Sequence, residues 1–167
     1  VVISPLVALI DDQVAALQAN GVAAARIHSG RSREDNVEDW RRVESGAARL
    51  LYMSPERLMT PRMLAALQRC SPALFVVDEA HCVSKWGTNF RPEYGALSDL
   101  KQHCPEATVA GFTATADTAT QRDVAEKLFA GRGDVIVHGF DRPNLWLGVT
   151  PKTKWRDQLR QFLKTRA

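Results

Sequence analysis

Nowhere in this chain is a glycine followed by a lysine. That absence removes the Gly-rich loop closing in Gly-Lys-Ser or Gly-Lys-Thr, whose backbone amides and lysine cradle nucleotide phosphates. Cysteine is scarce too: Cys70, Cys82 and Cys104 are odd in number and show no Cys-x-x-Cys spacing. They argue against a disulfide frame and a zinc site, and they read as free thiols in a reducing compartment. Long apolar runs are missing, so no segment is suited to cross a membrane as a helix. No signal-peptide pattern precedes the strand-like Val1-Val-Ile3. Charge of one sign does not dominate either. With 22 Lys and Arg against 19 Asp and Glu, the net charge of +3 permits a nucleic-acid partner without demanding one. The chain opens on Val1 rather than on methionine, and it is expected to be a piece of a longer polypeptide.

What is present describes an ordinary globular protein, 45% hydrophobic and 25% charged over 167 residues. That length suits one well-buried α/β domain. Apolar, β-branched runs predict strands at residues 1–3, 23–27, 50–53, 74–77 and 108–112, with a weaker one at 135–137. Between them, helical patterns cover residues 11–20, 33–44, 61–69, 94–103 and 118–129, and a last one covers 154–164. Gly21 serves as a C-cap, Thr60-Pro61 as N-cap and first turn, and Thr118 with Gln121 as a capping box. Strands alternating with helices predict a mostly parallel sheet covered on both faces.

The polar clusters fall at regular places. Ser4-Pro5, His28-Ser29, Ser54-Pro55, Asp78-Glu79 and Thr113-Ala-Thr115 each follow an apolar strand. In a parallel sheet those ends share one edge, where ligands of open α/β sheets bind. Asp78 and Glu79 close the run Leu74-Phe-Val-Val, which reads as a fully buried strand. An Asp there can hold Mg²⁺ on a nucleotide phosphate, and the adjoining Glu can polarise an attacking water. A solvated turn capping a helix would use the same pair. The following loop interleaves Trp86, Phe90 and Tyr94 with Gly, Asn, Arg and Pro. That spacing fits neither a helix face nor a strand face, and suits aromatic stacking on bases with arginine support.

Asp78-Glu-Ala-His81, followed by Cys82-Val-Ser-Lys-Trp-Gly-Thr-Asn-Phe-Arg-Pro-Glu-Tyr94, resembles motif II and the aromatic-rich loop of RecQ-family DNA helicases. The likeness extends over nearly the whole chain. Ser4 to Val14 resembles motif Ia, Ser54-Pro-Glu-Arg57 the motif Ib region, and Thr113-Ala-Thr-Ala116 motif III. Phe140-Asp-Arg-Pro-Asn144 resembles the passage into a second RecA-like domain. The resemblance implies a RecA-like domain over residues 1–138, lacking its N-terminal part, with a linker and the start of a second domain at 139–167. It implies ATP and Mg²⁺ as cofactors, single-stranded and duplex DNA as partners, and unwinding of the 3′-to-5′ type. A bacterial source would place the protein in the cytoplasm, at the nucleoid.

By the same resemblance Asp78 holds Mg²⁺, Glu79 activates water, and His81 relays nucleotide state. Thr113 and Thr115 would then link hydrolysis to DNA movement. Ser4, Pro5, Ser54, Arg57, Trp86, Phe90, Arg91, Pro92 and Tyr94 would follow the DNA strand. One departure is Thr88-Asn89, where the family carries His-Asp; neither residue titrates near neutral pH. The missing phosphate loop is the other, so these 167 residues alone are expected to hydrolyse ATP poorly. Two rivals follow: a nucleic-acid-binding or regulatory remnant without ATPase activity, and a metal-dependent hydrolase using Asp78, Glu79 and His81 as ligands.

Overall fold

The computed structural model describes residues 1–84, 91–139, 142–146 and 148–165. Five strands form one parallel sheet: β1 (Val2–Ile3), β2 (Ala24–Ile27), β3 (Leu50–Met53), β4 (Leu74–Val77) and β5 (Thr108–Gly111), in the order β2-β3-β1-β4-β5. The helices are α1 (Val7–Ala19), α2 (Arg33–Glu44), α3 (Pro55–Leu58), α4 (Pro61–Cys70), α5 (Pro92–Gly95), α6 (Leu100–His103), α7 (Thr118–Phe129) and α8 (Trp155–Lys164). By contact the chain divides into Val1–Val135, which holds the sheet, and Ile136–Ala167, which holds α8.

Register matters most for function. Ile27, Met53, Ile3, Val77 and Gly111 lie in one row across the sheet. The next residue of four strands continues the ladder: Ser4 N–H donates to Met53 O, Ser54 N–H to Ile27 O, Asp78 N–H to Ile3 O, and Phe112 N–H to Val77 O. The expected polar rim is therefore a physical edge. After β5 that place belongs to Phe112, because the strand ends at Gly111, and Thr113 follows one residue later.

Local chemistry explains the helices. Ser32 accepts a bond from Asp35 N–H to start α2, with Glu34 and Asp35 in the first turn and Arg41 and Arg42 in the last, as the helix dipole favours. Asp39 of α2 takes Arg31 at 2.6 Å and Arg42 at 2.8 Å, and accepts from Arg26 N–H of β2, which ties α2 to the sheet edge. Thr60 caps α4 ahead of Pro61, as expected.

Several expectations are corrected. The α7 cap is Asp117, which accepts from Thr120 N–H at 2.8 Å; Thr118 is the first helical residue, and Gln121 reaches back to Ala116 O. A carboxylate is the stronger acceptor, and it takes the capping place. Hydrogen bonds from Thr120, its N–H first, hold the Asp117 carboxyl below its ordinary range. The helix expected over 94–103 is instead two short helices, α5 and α6, joined by a 3₁₀ turn at Ala96–Asp99. The α1 helix starts at Val7, earlier than residue 11. Residues 135–137 form no strand, having no described strand to pair with, and all three side chains are exposed. In β4, Leu74 is 42% exposed while Phe75 and Val77 are fully buried, so the run is not buried throughout.

One core cluster runs beneath the rim. It joins Ile3, Leu51, Met53, Phe75 and Val77 of the strands to Leu58, Leu67, Tyr94, Leu97, Leu100 and Leu128 of the helices and turns. In the second unit, Trp155, Leu159, Phe162 and Leu163 lie along one exposed side of α8, and the Arg156 guanidinium stands 5.3 Å from the Trp155 ring centre. No helix among the described residues is long and apolar enough to cross a membrane.

Candidate active site at the carboxyl rim of the sheet

Asp78 leaves β4 beside β1 on one flank and β5 on the other, and its carboxylate is held at both oxygens. Oδ1 accepts from Glu79 N–H at 2.9 Å, and Oδ2 accepts from the Ser4 hydroxyl at 3.3 Å. Each oxygen keeps lone-pair capacity for a further partner. Across the rim, burial and the Asp78 charge together push the Tyr52 phenol pKa up. Asp78 and Glu79 are both half-buried, poised between core and solvent.

Glu79 turns the chain. Its φ of 49° and ψ of 44° lie in the left-handed region, unusual for a residue with a side chain. From there its carboxylate meets the buried His81, Oε2 standing 3.2 Å from Nδ1, and the Thr113 hydroxyl lies 2.8 Å from the same nitrogen. A carboxylate only accepts, so Nδ1 carries the proton and faces both oxygens. Thr113 then donates to Thr115 O at 3.4 Å and accepts from Thr115 N–H at 3.3 Å. A continuous polar chain thus runs Glu79–His81–Thr113–Thr115, from the end of β4 to the segment after β5. Both threonines are exposed.

The neighbouring cysteine is inert. Burial, above all, pushes the Cys82 thiol up, so it supplies no thiolate for nucleophilic attack. No group of three or more His, Cys, Asp or Glu side chains suited to a metal occurs among the described residues. That removes support from the reading in which Asp78, Glu79 and His81 ligate a metal together.

The expected DNA-following residues separate into groups. Arg57 and Pro92 are exposed, and Pro5 and Arg91 are partly so. Arg91 donates to the Pro5 carbonyl at 3.3 Å, joining two of them directly. Ser4 and Ser54 are buried, and their hydroxyls turn inward: Ser4 supports Asp78, and Ser54 Oγ has no bonding partner. Tyr94 is a plain correction. It is 0% exposed, a core residue and not a stacking surface, and its hydroxyl donates to Asp78 O at 3.1 Å. Trp86 and Phe90, like Thr88 and Asn89, lie outside the described residues. His28 is fully buried and both ring nitrogens are engaged: Nε2 donates to Asp11 at 3.1 Å and Nδ1 accepts from Gly30 N–H.

Sequence reasoning missed two things here. Phe112, 59% exposed at the rim, sits where only the register could put it. The Ser4–Asp78 bond spans 74 positions of chain, and no local pattern announces it.

Comparison with known proteins adds independent findings. A family profile described as DEAD/DEAH box helicase matches residues 1–124. The ATP-dependent DNA helicase RecQ of Pasteurella multocida is 40% identical over 162 residues, which is 97% of this chain and 26% of that protein. The protein of the same description from Haemophilus influenzae gives the same identity and coverage. The ATP-dependent DNA helicase Q-like 4B of Arabidopsis thaliana is 39% identical over 171 residues, 98% of this chain and 15% of that protein. The chain spans about a quarter of the length of the two bacterial relatives.

Proposed function

We propose, starting from the fact that this chain belongs to the DEAD/DEAH box helicases and has RecQ helicases as its relatives, that the native polypeptide is an ATP- and Mg²⁺-dependent DNA helicase. Residues 1–138 supply most of its first RecA-like domain, and 139–167 lead into a second. The observation that carries the reading is the polar chain from Glu79 through His81 to Thr113. It ties a candidate general base to the strand end beside which nucleic acid would run.

The donor set suits Mg²⁺. This ion takes one or two carboxylates and fills its other positions with water and phosphate oxygens. The Asp78 carboxylate, fixed by Ser4 and by Glu79 N–H, offers that first ligand without a protein cage. Bound there, Mg²⁺ would neutralise charge on the transferred phosphate. Glu79 polarises the attacking water and takes its proton at a carboxylate oxygen. His81, its Nδ1 proton shared between Glu79 and Thr113, feels any change in the charge of Glu79. It passes that change to the exposed segment 113–115. Pro5, Arg57, Arg91 and Pro92 offer the surface that follows a single strand, the arginines on its phosphates.

The test is ATP hydrolysis by the native polypeptide with and without a single-stranded oligonucleotide, alongside strand separation of a tailed duplex. DNA-stimulated hydrolysis and ATP-dependent unwinding are expected. Salt-sensitive strand binding with no ATP dependence would instead identify a DNA-binding remnant. A second expectation concerns the relay. Thr113→Val keeps the side-chain shape but removes the hydroxyl from His81, and DNA-stimulated turnover should fall about tenfold, the scale of one lost hydrogen bond in a coupled network. Stimulation equal to the parent's would remove Thr113 from the coupling path.

A further inference from the structure

We propose that Tyr94 is a positioning residue for the Asp78–Glu79 pair: its buried hydroxyl fixes the peptide that joins the two carboxylates, and so sets the rate of hydrolysis. This rests on the reading of Asp78 and Glu79 as the hydrolytic pair, and deepens it. Three non-glycine residues among those described have positive φ: Ser71, Glu79 and Ala130. Ser71 and Ala130 end helices α4 and α7, where a left-handed residue is ordinary. Glu79 does not. It follows a strand, where the left-handed conformation brings Cβ too close to the following carbonyl and is disfavoured against the right-handed one.

Such a turn persists only where its surroundings over-determine it. Here every main-chain group of the turn is held. Asp78 N–H donates to Ile3 O, Glu79 N–H to Asp78 Oδ1, Ala80 N–H to Phe112 O, and Glu79 O accepts from Cys82 N–H. The Asp78 carbonyl is held by the Tyr94 hydroxyl at 3.1 Å. That is a side-chain donor on the carbonyl of the same peptide whose N–H is bound by Asp78 Oδ1. Both ends of one peptide are clamped, and its plane decides where both carboxylates point. The Tyr94 ring is fully enclosed by the core, so the clamp is rigid.

The clamp also reaches the aromatic stretch. Tyr94 N–H donates to Arg91 O, Arg91 N–H donates to Cys82 O, and the Arg91 guanidinium donates to Pro5 O. The two flanks of residues 85–90 are thereby joined to each other and, through Tyr94, to the peptide of the catalytic pair. A pull on Arg91 is transmitted to Asp78 through two hydrogen bonds and one rigid ring.

Tyr94→Phe in the native polypeptide removes the hydroxyl and keeps every ring atom of the core. Turnover is measured with saturating single-stranded DNA and divided by the sites that bind a fluorescent ADP analogue, so partial unfolding does not count as slow chemistry. The expected result is a fall in kcat of about tenfold, since a small misplacement of reacting groups costs up to about a hundredfold. KM for ATP and oligonucleotide affinity should both hold to within about twofold, because uniform binding is untouched. A kcat within about twofold of the parent overturns the proposal, as does a rise in KM with kcat unchanged. Glu79→Gln, run in parallel, separates the two claims. If Glu79→Gln abolishes turnover and Tyr94→Phe does not slow it, only the positioning role fails. If Glu79→Gln turns over normally, the hydrolytic reading itself fails.

Discussion

Glu79→Gln in the native polypeptide is expected to lower DNA-stimulated ATP hydrolysis by about 10²–10⁴-fold, the range a positioned general base contributes. Nucleotide binding should be unchanged. Glutamine has the same length and branching, and its amide oxygen can still accept from His81 Nδ1–H, which stands 3.2 Å from the Glu79 carboxylate. The left-handed turn depends on main-chain bonds to Asp78, Ile3, Cys82 and Phe112, and none involves the Glu79 side chain. What the amide cannot do is take a proton from water. Phosphate release read beside binding of a fluorescent nucleotide separates the two effects. Turnover equal to the parent's would end the proposed role of Glu79, and the role of His81 as its relay with it.

Phe75→Ala is the second large effect, and it acts through the fold. Phe75 is fully buried in β4, in register with Val109 of β5, at the centre of the cluster beneath the rim. Truncation removes the ring and leaves a cavity that strands on both sides prevent from collapsing, and the expected loss is about 3–5 kcal/mol. With a urea slope of about 1–3 kcal/mol per molar, the unfolding midpoint should fall by more than about 1 M. Leu74→Ala is the matching control. That neighbour is 42% exposed, and a surface truncation of this kind is expected within about 0.5 kcal/mol. Equal midpoints for the two variants would mean that β4 does not bury one face as described.

That pair of neighbours marks a limit of reading apolar runs. Leu74-Phe-Val-Val looks uniformly buried, yet burial alternates along it: Leu74 is exposed and Val76 half-buried, while Phe75 and Val77 are buried. The capping of α7 shows another limit. Thr118 and Asp117 are both good caps by type, and only the geometry of the turn before the helix selected the carboxylate. Residues 135–137 have strand composition and no strand, because a strand is completed by a partner, not by its own side chains.

The aromatic segment divides in the same way. Its irregular spacing suggested a stacking surface for Trp86, Phe90 and Tyr94 alike. Tyr94 instead opens inward from α5, and its ring fills the core while its hydroxyl meets Asp78. Spacing within a loop carries no information about which rings point in.

By itself the sequence determined the alternation of strands and helices, the parallel sheet, and the placing of Asp78 and Glu79 at the end of a strand. Those follow from local periodicity and from the rule that parallel strands end on one edge, both of which are short-range properties of a chain. It also carried the acidic motif and its neighbours whole, since Asp78 to His81 are contiguous. Only the tertiary structure decided that Ser4 and Tyr94 serve Asp78, that His81 bridges Glu79 to Thr113, and that Ser54 lies inward. Each of those contacts depends on where a distant strand or helix comes to rest. That is settled by the packing of the whole core, and no window of sequence contains it.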